Sequence, residues 1–89
     1  KRRKRMLEAA FDGDVNLMRQ VVKEVSDIND KDGIGNDVIG KSIRSKRLMD
    51  IIDCEDANGN TALSEAANGG SVEAIKFLLD NGADPNIKG

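Results

Sequence analysis

The 89 residues contain no histidine, tryptophan or tyrosine, and only one cysteine, one proline and two phenylalanines. Each shortage closes a route to function. Without histidine the chain lacks the commonest general base and imidazole metal ligand. It also has no glycine-rich phosphate loop ending in Lys-Ser/Thr and no nucleophile beside a base, so neither catalysis nor a cofactor or metal is expected. The lone thiol, Cys54, cannot build a disulfide framework or share a metal with a second cysteine, and reads as a small structural residue or a free thiol. With two aromatic rings, base stacking has little to work with, and nucleic acid is not an expected partner. No apolar run is long enough to span a membrane and no segment resembles a signal peptide. The expected setting is therefore intracellular, cytoplasmic or nuclear.

What is present is charge, unevenly placed. Residues 1–50 hold 12 Lys/Arg against 9 Asp/Glu, a balance of +3, whereas residues 51–89 hold 2 against 7, a balance of −5. The chain begins Lys1-Arg2-Arg3-Lys4-Arg5, a basic leader with several readings. It is a candidate nuclear-localisation signal, an anchor for an acidic surface, a nucleic-acid contact, or simply the end of a charged helix or a solvated tail. Five like charges at a helix N-terminus also oppose its dipole.

The chain repeats itself. At an offset of 57 residues Ala9-Ala10 falls on Ala66-Ala67, Gly13 on Gly70 and Asp14 on Ser71. The triplet Met18, Val21, Val22 falls on Ile75, Leu78, Leu79, and Asp27-x-Asn29 on Asp84-x-Asn86. A second match, Asp32-x-x-Gly35-Asn36 on Asp56-x-x-Gly59-Asn60, has an offset of 24, and Leu48, Ile51, Ile52 repeat the triplet once more. Each unit reads as two short helices around a tight break. In the last, Leu63, Ala66 and Ala67 share one face, Gly69-Gly70 interrupts, and Ser71 caps a second helix carrying Val72, Ile75, Leu78 and Leu79. Gly82 suits a left-handed helix end, and Pro85 follows where a helix could not continue. Through 39–52, an unbroken helix would set Ile39 and Ile43 nearly opposite Leu48, Ile51 and Ile52. The spacing therefore predicts a break near Arg44 to Lys46. Lys41, Arg44 and Arg47, every third residue, read as a basic stripe or a solvated face.

Residues 56–89 resemble an ankyrin repeat through Asp56-x-x-Gly59-x-Thr61-x-Leu63-x-x-Ala66-Ala67-x-x-Gly70 and Ile75-x-x-Leu78-Leu79-x-x-Gly82-Ala83-Asp84-x-Asn86. Residues 6–32 resemble it more loosely, and 32–55 look like a degenerate copy. The resemblance implies an all-α solenoid fragment of stacked helix-turn-helix repeats with short β-turn fingers. Its expected parts are a basic leader (1–5), repeat 1 (6–31), a shortened degenerate repeat 2 (32–55) and repeat 3 (56–89), with the array continuing beyond 89. Two departures stand out. The family's Thr-Pro-Leu-His is Thr61-Ala62-Leu63-Ser64 here, and Val25 occupies the position of Gly82, where a β-branched residue resists positive φ, so that turn must differ.

In that family the implied function is a monomeric, non-catalytic scaffold for protein partners, held by the fingers and the first-helix surface. Carried over by position, the contact residues are Lys31, Gly33 and Ile34 in one finger, Ala57 and Asn58 in the next, and Glu8, Phe11, Ser64, Glu65 and Asn68 on helices. Phe11, aligned with Asn68, could instead be buried. A different class competes for 27–41, since Asp30-Lys31-Asp32-Gly33-Ile34-Gly35 resembles the start of an EF-hand calcium loop. Counted from Asp30 the fifth and twelfth positions are Ile34 and Lys41; with Gly33 as sixth, the first and last are Ile28 and Ile39. Neither register supplies the required oxygens. A third alternative makes the leader itself the functional element.

Overall fold

The structure, a computed structural model, describes residues 1–53 and 55–85. Cys54 and residues 86–89, including Asn86 of the repeat match, lie outside the described residues. In chain order the helices are α1 (Arg2–Asp12), α2 (Val15–Lys31), α3 (Val38–Ile52), α4 (Ala62–Asn68) and α5 (Val72–Asp80).

The 57-residue offset is a geometric identity as well as a sequence one. After α1, the Gly13 N–H donates to the Ala10 carbonyl (3.2 Å) and that of Asp14 to Ala9 (2.8 Å). After α4, the Gly70 N–H donates to Ala67 (3.1 Å) and that of Ser71 to Ala66 (3.0 Å). Both are Schellman closures, which satisfy the carbonyls left over at a helix end. The next residue caps the next helix in each case: the Asp14 carboxylate accepts from the Leu17 N–H (3.1 Å), and the Ser71 hydroxyl from that of Ala74 (3.2 Å).

The two hairpins stack directly, with α1 lying along α4 as the principal helix contact and α2 against α5. One buried cluster holds Met6, Ala9, Ala10, Met18 and Val21 from the first hairpin, Ala62, Ala66, Ala74 and Leu78 from the second, and Ile51 and Ile52 from α3. Small residues let the helix axes come close. At Gly69 the approach is closest, since a Cβ there would overlap the carbonyl of Phe11. Ala67, expected on the same face as Ala66, is instead exposed, and Leu63 is half-buried.

The hairpins differ where they end. α5 stops after 9 residues, with Gly82 at φ 97 and the Ala83 N–H closing on Leu78 (2.9 Å). Its partner α2 runs for 17, with Val25 helical and buried where Gly82 allows a turn. The helix stops at Gly33, φ 74, with the Ile34 N–H closing on Asn29 (2.9 Å). Asp27-x-Asn29, aligned with a finger, is therefore helix, and Asn29 is buried.

The break expected near Arg44 to Lys46 is absent: α3 is one helix of 15 residues. Its two apolar faces coexist because only the C-terminal half reaches the core through Ile51 and Ile52, while Val38 and Ile39 stand 87% and 71% exposed. Arginines hold the overhanging half. Arg44 donates through Nε to the Gly35 carbonyl (3.0 Å) and through Nη2 to the Ile34 carbonyl and to Asp30 (2.7 Å). Arg47 Nη1 reaches Asn29 Oδ1 (3.0 Å) and Asp32 Oδ2 (2.9 Å). Of the expected basic stripe, only Lys41 is fully exposed. At the start of α3 the Asp37 carboxylate accepts from the Gly40 N–H (2.9 Å).

The basic leader is likewise built in, as the first turn of α1. Arg5 grips Glu24 with both terminal nitrogens (3.0 and 2.5 Å), Arg2 adds a contact at 3.2 Å, and Arg3 Nε donates to the Asp50 carbonyl (3.2 Å). The Arg5 hydrogen bonds above all, helped by its charge and by Arg2, hold the Glu24 carboxyl down at about 2 against the opposing effect of desolvation. α3 thus packs on both α1 and α2, and its end reaches the turn after α5, where Asp53 Oδ1 accepts from the Asp84 N–H (3.2 Å).

Candidate partner-binding groove

The described finger, 55–61, owes its shape to Asp56. Its Oδ1 accepts from the backbone N–H groups of Asn58 (2.8 Å) and Asn60 (2.9 Å). Its own N–H donates to the Asn60 carbonyl (2.8 Å), and Glu55 bridges Thr61 in antiparallel fashion. The N–H of Asn60 first, and that of Asn58 after it, holds the Asp56 carboxyl below the usual range, against a smaller effect of desolvation. Ala57 and Asn58 are left exposed at the tip.

The finger runs into α4 through a reciprocal cap. The Ser64 N–H donates to Thr61 Oγ1 (3.2 Å), the Thr61 N–H donates to Ser64 Oγ (2.8 Å), and the Ser64 hydroxyl donates to the Thr61 carbonyl (2.9 Å). Serine here does what glutamate or glutamine does in the usual capping box. Ser64, expected to face a partner, thereby spends its hydroxyl on the helix start.

Between α1, this finger and α4 lies an open groove of about 740 Å³. Leu7 and Phe11 supply its apolar surface, with Phe11 48% exposed. Three expected contact residues meet there: Glu8, Phe11 and Glu65. Glu8 and Glu65 are the same position in the two hairpins, 57 residues apart. Ala57 and Asn58 adjoin the groove in sequence, next to Asp56 on its wall. Asn68 is exposed at the end of α4, off the groove lining. Lys31, Gly33 and Ile34 lie apart, Lys31 as the last residue of α2 and the other two in the α2–α3 connection, where Arg44 engages the Ile34 carbonyl.

Arg3, Lys4, Leu7 and Glu55 line the groove without having been anticipated. The signal for three of them was the helical register of α1 carried back through the leader: residues 3, 7 and 11 recur at steps of four, and 4, 8 and 11 at steps of four and three. Among the described residues, the ion pairs join Arg2 and Arg5 to Glu24, Lys23 to Asp27, Arg44 to Asp30 and Arg47 to Asp32, leaving the groove carboxylates of Glu8, Asp12, Glu55 and Glu65 outside all of them.

The carboxylates of a would-be calcium loop are turned elsewhere. Asp30 and Asp32 face guanidinium groups, cations where calcium would sit, and no group of three His, Cys, Asp or Glu among the described residues could hold a metal ion.

Residues 58–89 match the family model for the ankyrin repeat. The chain belongs to the ankyrin-repeat family. It is 33% identical over 93 residues to the ankyrin repeat domain-containing protein SAT10 of Stachybotrys chartarum, an alignment covering 91% of this chain and 5% of that protein. It is 38% identical over 60 residues to the regulatory protein SWI6 of Saccharomyces cerevisiae, covering 66% and 8%, and 49% identical over 40 residues to that of Kluyveromyces lactis, covering 45% and 5%. The chain thus spans less than a tenth of the length of these relatives. No solved structure matches it significantly. Ankyrin repeats generally mediate protein–protein interaction. No helix among the described residues is long and apolar enough to cross a membrane.

Proposed function

We propose that this chain is a non-catalytic, monomeric interaction module of a cytoplasmic or nuclear protein, offering its finger and first-helix surface to a protein partner. The observation that carries the reading is the groove beside α1, where an aromatic ring and unpaired carboxylates stand open to solvent on the surface formed by the first helices of both hairpins. In this reading 6–31 and 56–89 are two repeat units. Residues 32–55 are a shortened one, reduced to the single helix α3 and braced beside the stack.

A photoreactive amino acid placed at Phe11 or Asn58 of the full-length protein tests it, with Lys76, exposed on α5, as the control position. A protein adduct formed at the first two sites, absent at Lys76 and lost on Glu65→Lys, is the expected result. Adducts that form equally at all three, or that ignore the Glu65 change, would contradict the assigned face.

A further inference from the structure

The groove's charges are sorted along its length. At the start of α1 its rim is cationic, with Arg3 and Lys4; further along α1, and level with it on α4, it is anionic, with Glu8, Asp12 and Glu65, while Glu55 stands on the finger. Leu7 and Phe11 add apolar surface beside these charges on α1. Asp56 adds little to recognition, because its Oδ1 is committed to two backbone N–H groups. Arg3 keeps its guanidinium terminal nitrogens available while its Nε holds the Asp50 carbonyl. The rim therefore has both signs, each beside an exposed apolar surface, and the fixed backbone of α1 and the finger sets their separation.

Such a surface discriminates by charge arrangement more than by net charge. A uniformly basic segment meets attraction at one end and repulsion at the other, and a uniformly acidic one meets the reverse, and like charges brought together at an interface suppress the wrong partner. An aromatic ring at the centre supplies the apolar anchor around which such rim charges act. We infer that the groove seats an amphipathic segment of a partner protein whose apolar side chain packs on Leu7 and Phe11, with an acidic side chain toward Lys4 and basic side chains toward Glu8 and Glu65. This rests on the interaction reading above and goes beyond it by stating the chemistry of the partner segment.

Four end-blocked, dye-labelled peptides with the same central leucines test it by fluorescence anisotropy against the full-length protein. One is acidic at one end and basic at the other, one uniformly basic, one uniformly acidic and one neutral. The two-signed peptide should bind at least tenfold more tightly than the acidic and neutral ones, and several-fold more tightly than the basic one. Phe11→Ala should weaken it at least fivefold. The double change Glu8→Lys and Glu65→Lys, which makes the rim cationic, should switch the preference to the acidic peptide, a gain that a merely misfolded variant cannot show. Equal binding of all four, no binding by any, or a ranking untouched by the double change overturns the inference. If the ranking fails while photoadducts at Phe11 and Asn58 persist, the interaction reading stands and the partner chemistry falls. If the adducts are missing too, both fall.

Discussion

Laid 57 positions apart, the hairpin of α1 and α2 and that of α4 and α5 turn through the same hydrogen bonds, yet one helix pair has been lengthened at both ends and the other has not. The basic leader extends α1 backward, and α2 reads through Val25 to Lys31. These extensions lie where α3 packs, so the extra length of one unit makes the seat for the extra helix. The difference shows how a hairpin accommodates a further helix without losing its stack: the turn and the α1–α4 contact are kept, and the difference is confined to the helix ends. Burial follows the same division. Met18 is fully buried, whereas Ile75 at the same place in the second unit is half-buried; Val22 is half-buried, whereas Leu79 is 42% exposed.

The shared part of the comparison should be the least forgiving. Leu78 and Val21 occupy one repeat position and both are fully buried, so truncation tests whether the two units contribute alike. Leu78→Ala should cost about 2–5 kcal/mol, a large share of the total for a domain of this size, and Val21→Ala less, because fewer atoms leave the core. With no Trp or Tyr to report, thermal melts by circular dichroism at 222 nm are the measurement. A Leu78→Ala protein melting with the parent would show that α5 is not part of the cooperative unit.

Val25→Gly puts into α2 the residue that ends α5. It should lower stability by about 2–3 kcal/mol, from lost burial of the valine and the backbone freedom of glycine in a helix. It should not shorten the helix, since the closure at Gly33 remains. Amide exchange that opens residues 26–31 in this variant would show that Val25 alone set the length. Smaller again, Arg47→Leu removes the donor to Asn29 Oδ1, and Asn29 is only 3% exposed; about 1–3 kcal/mol should go with the orphaned amide oxygen. Exchange should rise first at the start of α3, sparing the two hairpins.

What could be read from the sequence was the part governed by short-range rules. Ser71 as a cap, Gly82 as a helix end and the failure of Val25 to make a turn all follow from the chemistry of a residue and its next few neighbours. What escaped depended on distance. The periodicity of α3 demands a break only if both apolar faces must be covered, and no local signal says that Val38 and Ile39 stay in solvent while Arg44 and Arg47 hold the overhang from side chains and carbonyls 9 to 18 residues away. The choice among readings of the leader stayed open for the same reason, since its anchor is Glu24, two turns into a different helix. Of the groove, Glu8, Phe11 and Glu65 came from repeat position alone, while Arg3, Lys4 and Leu7 needed the knowledge that α1 begins at Arg2.

The Glu24 pair sharpens the comparison with the smallest effect, because it belongs to the extension and is absent from the shared stack. Folded Glu24 loses its proton near 2, whereas a free glutamate does so near 4.3. On lowering the pH the unfolded chain therefore takes up this proton first. The stabilising effect of the pair is complete above about pH 5, declines from there toward 2 and is gone below it. Glu24 and its arginines stand partly in water, so the effect is modest and screened by salt. Glu24→Gln should lower the melting temperature slightly at pH 7, by a margin that narrows as the pH falls through that window and also narrows in 0.5 M salt. A margin constant from pH 7 to 2 would mean that packing of the side chain, and not its charge, fastens the leader to α2.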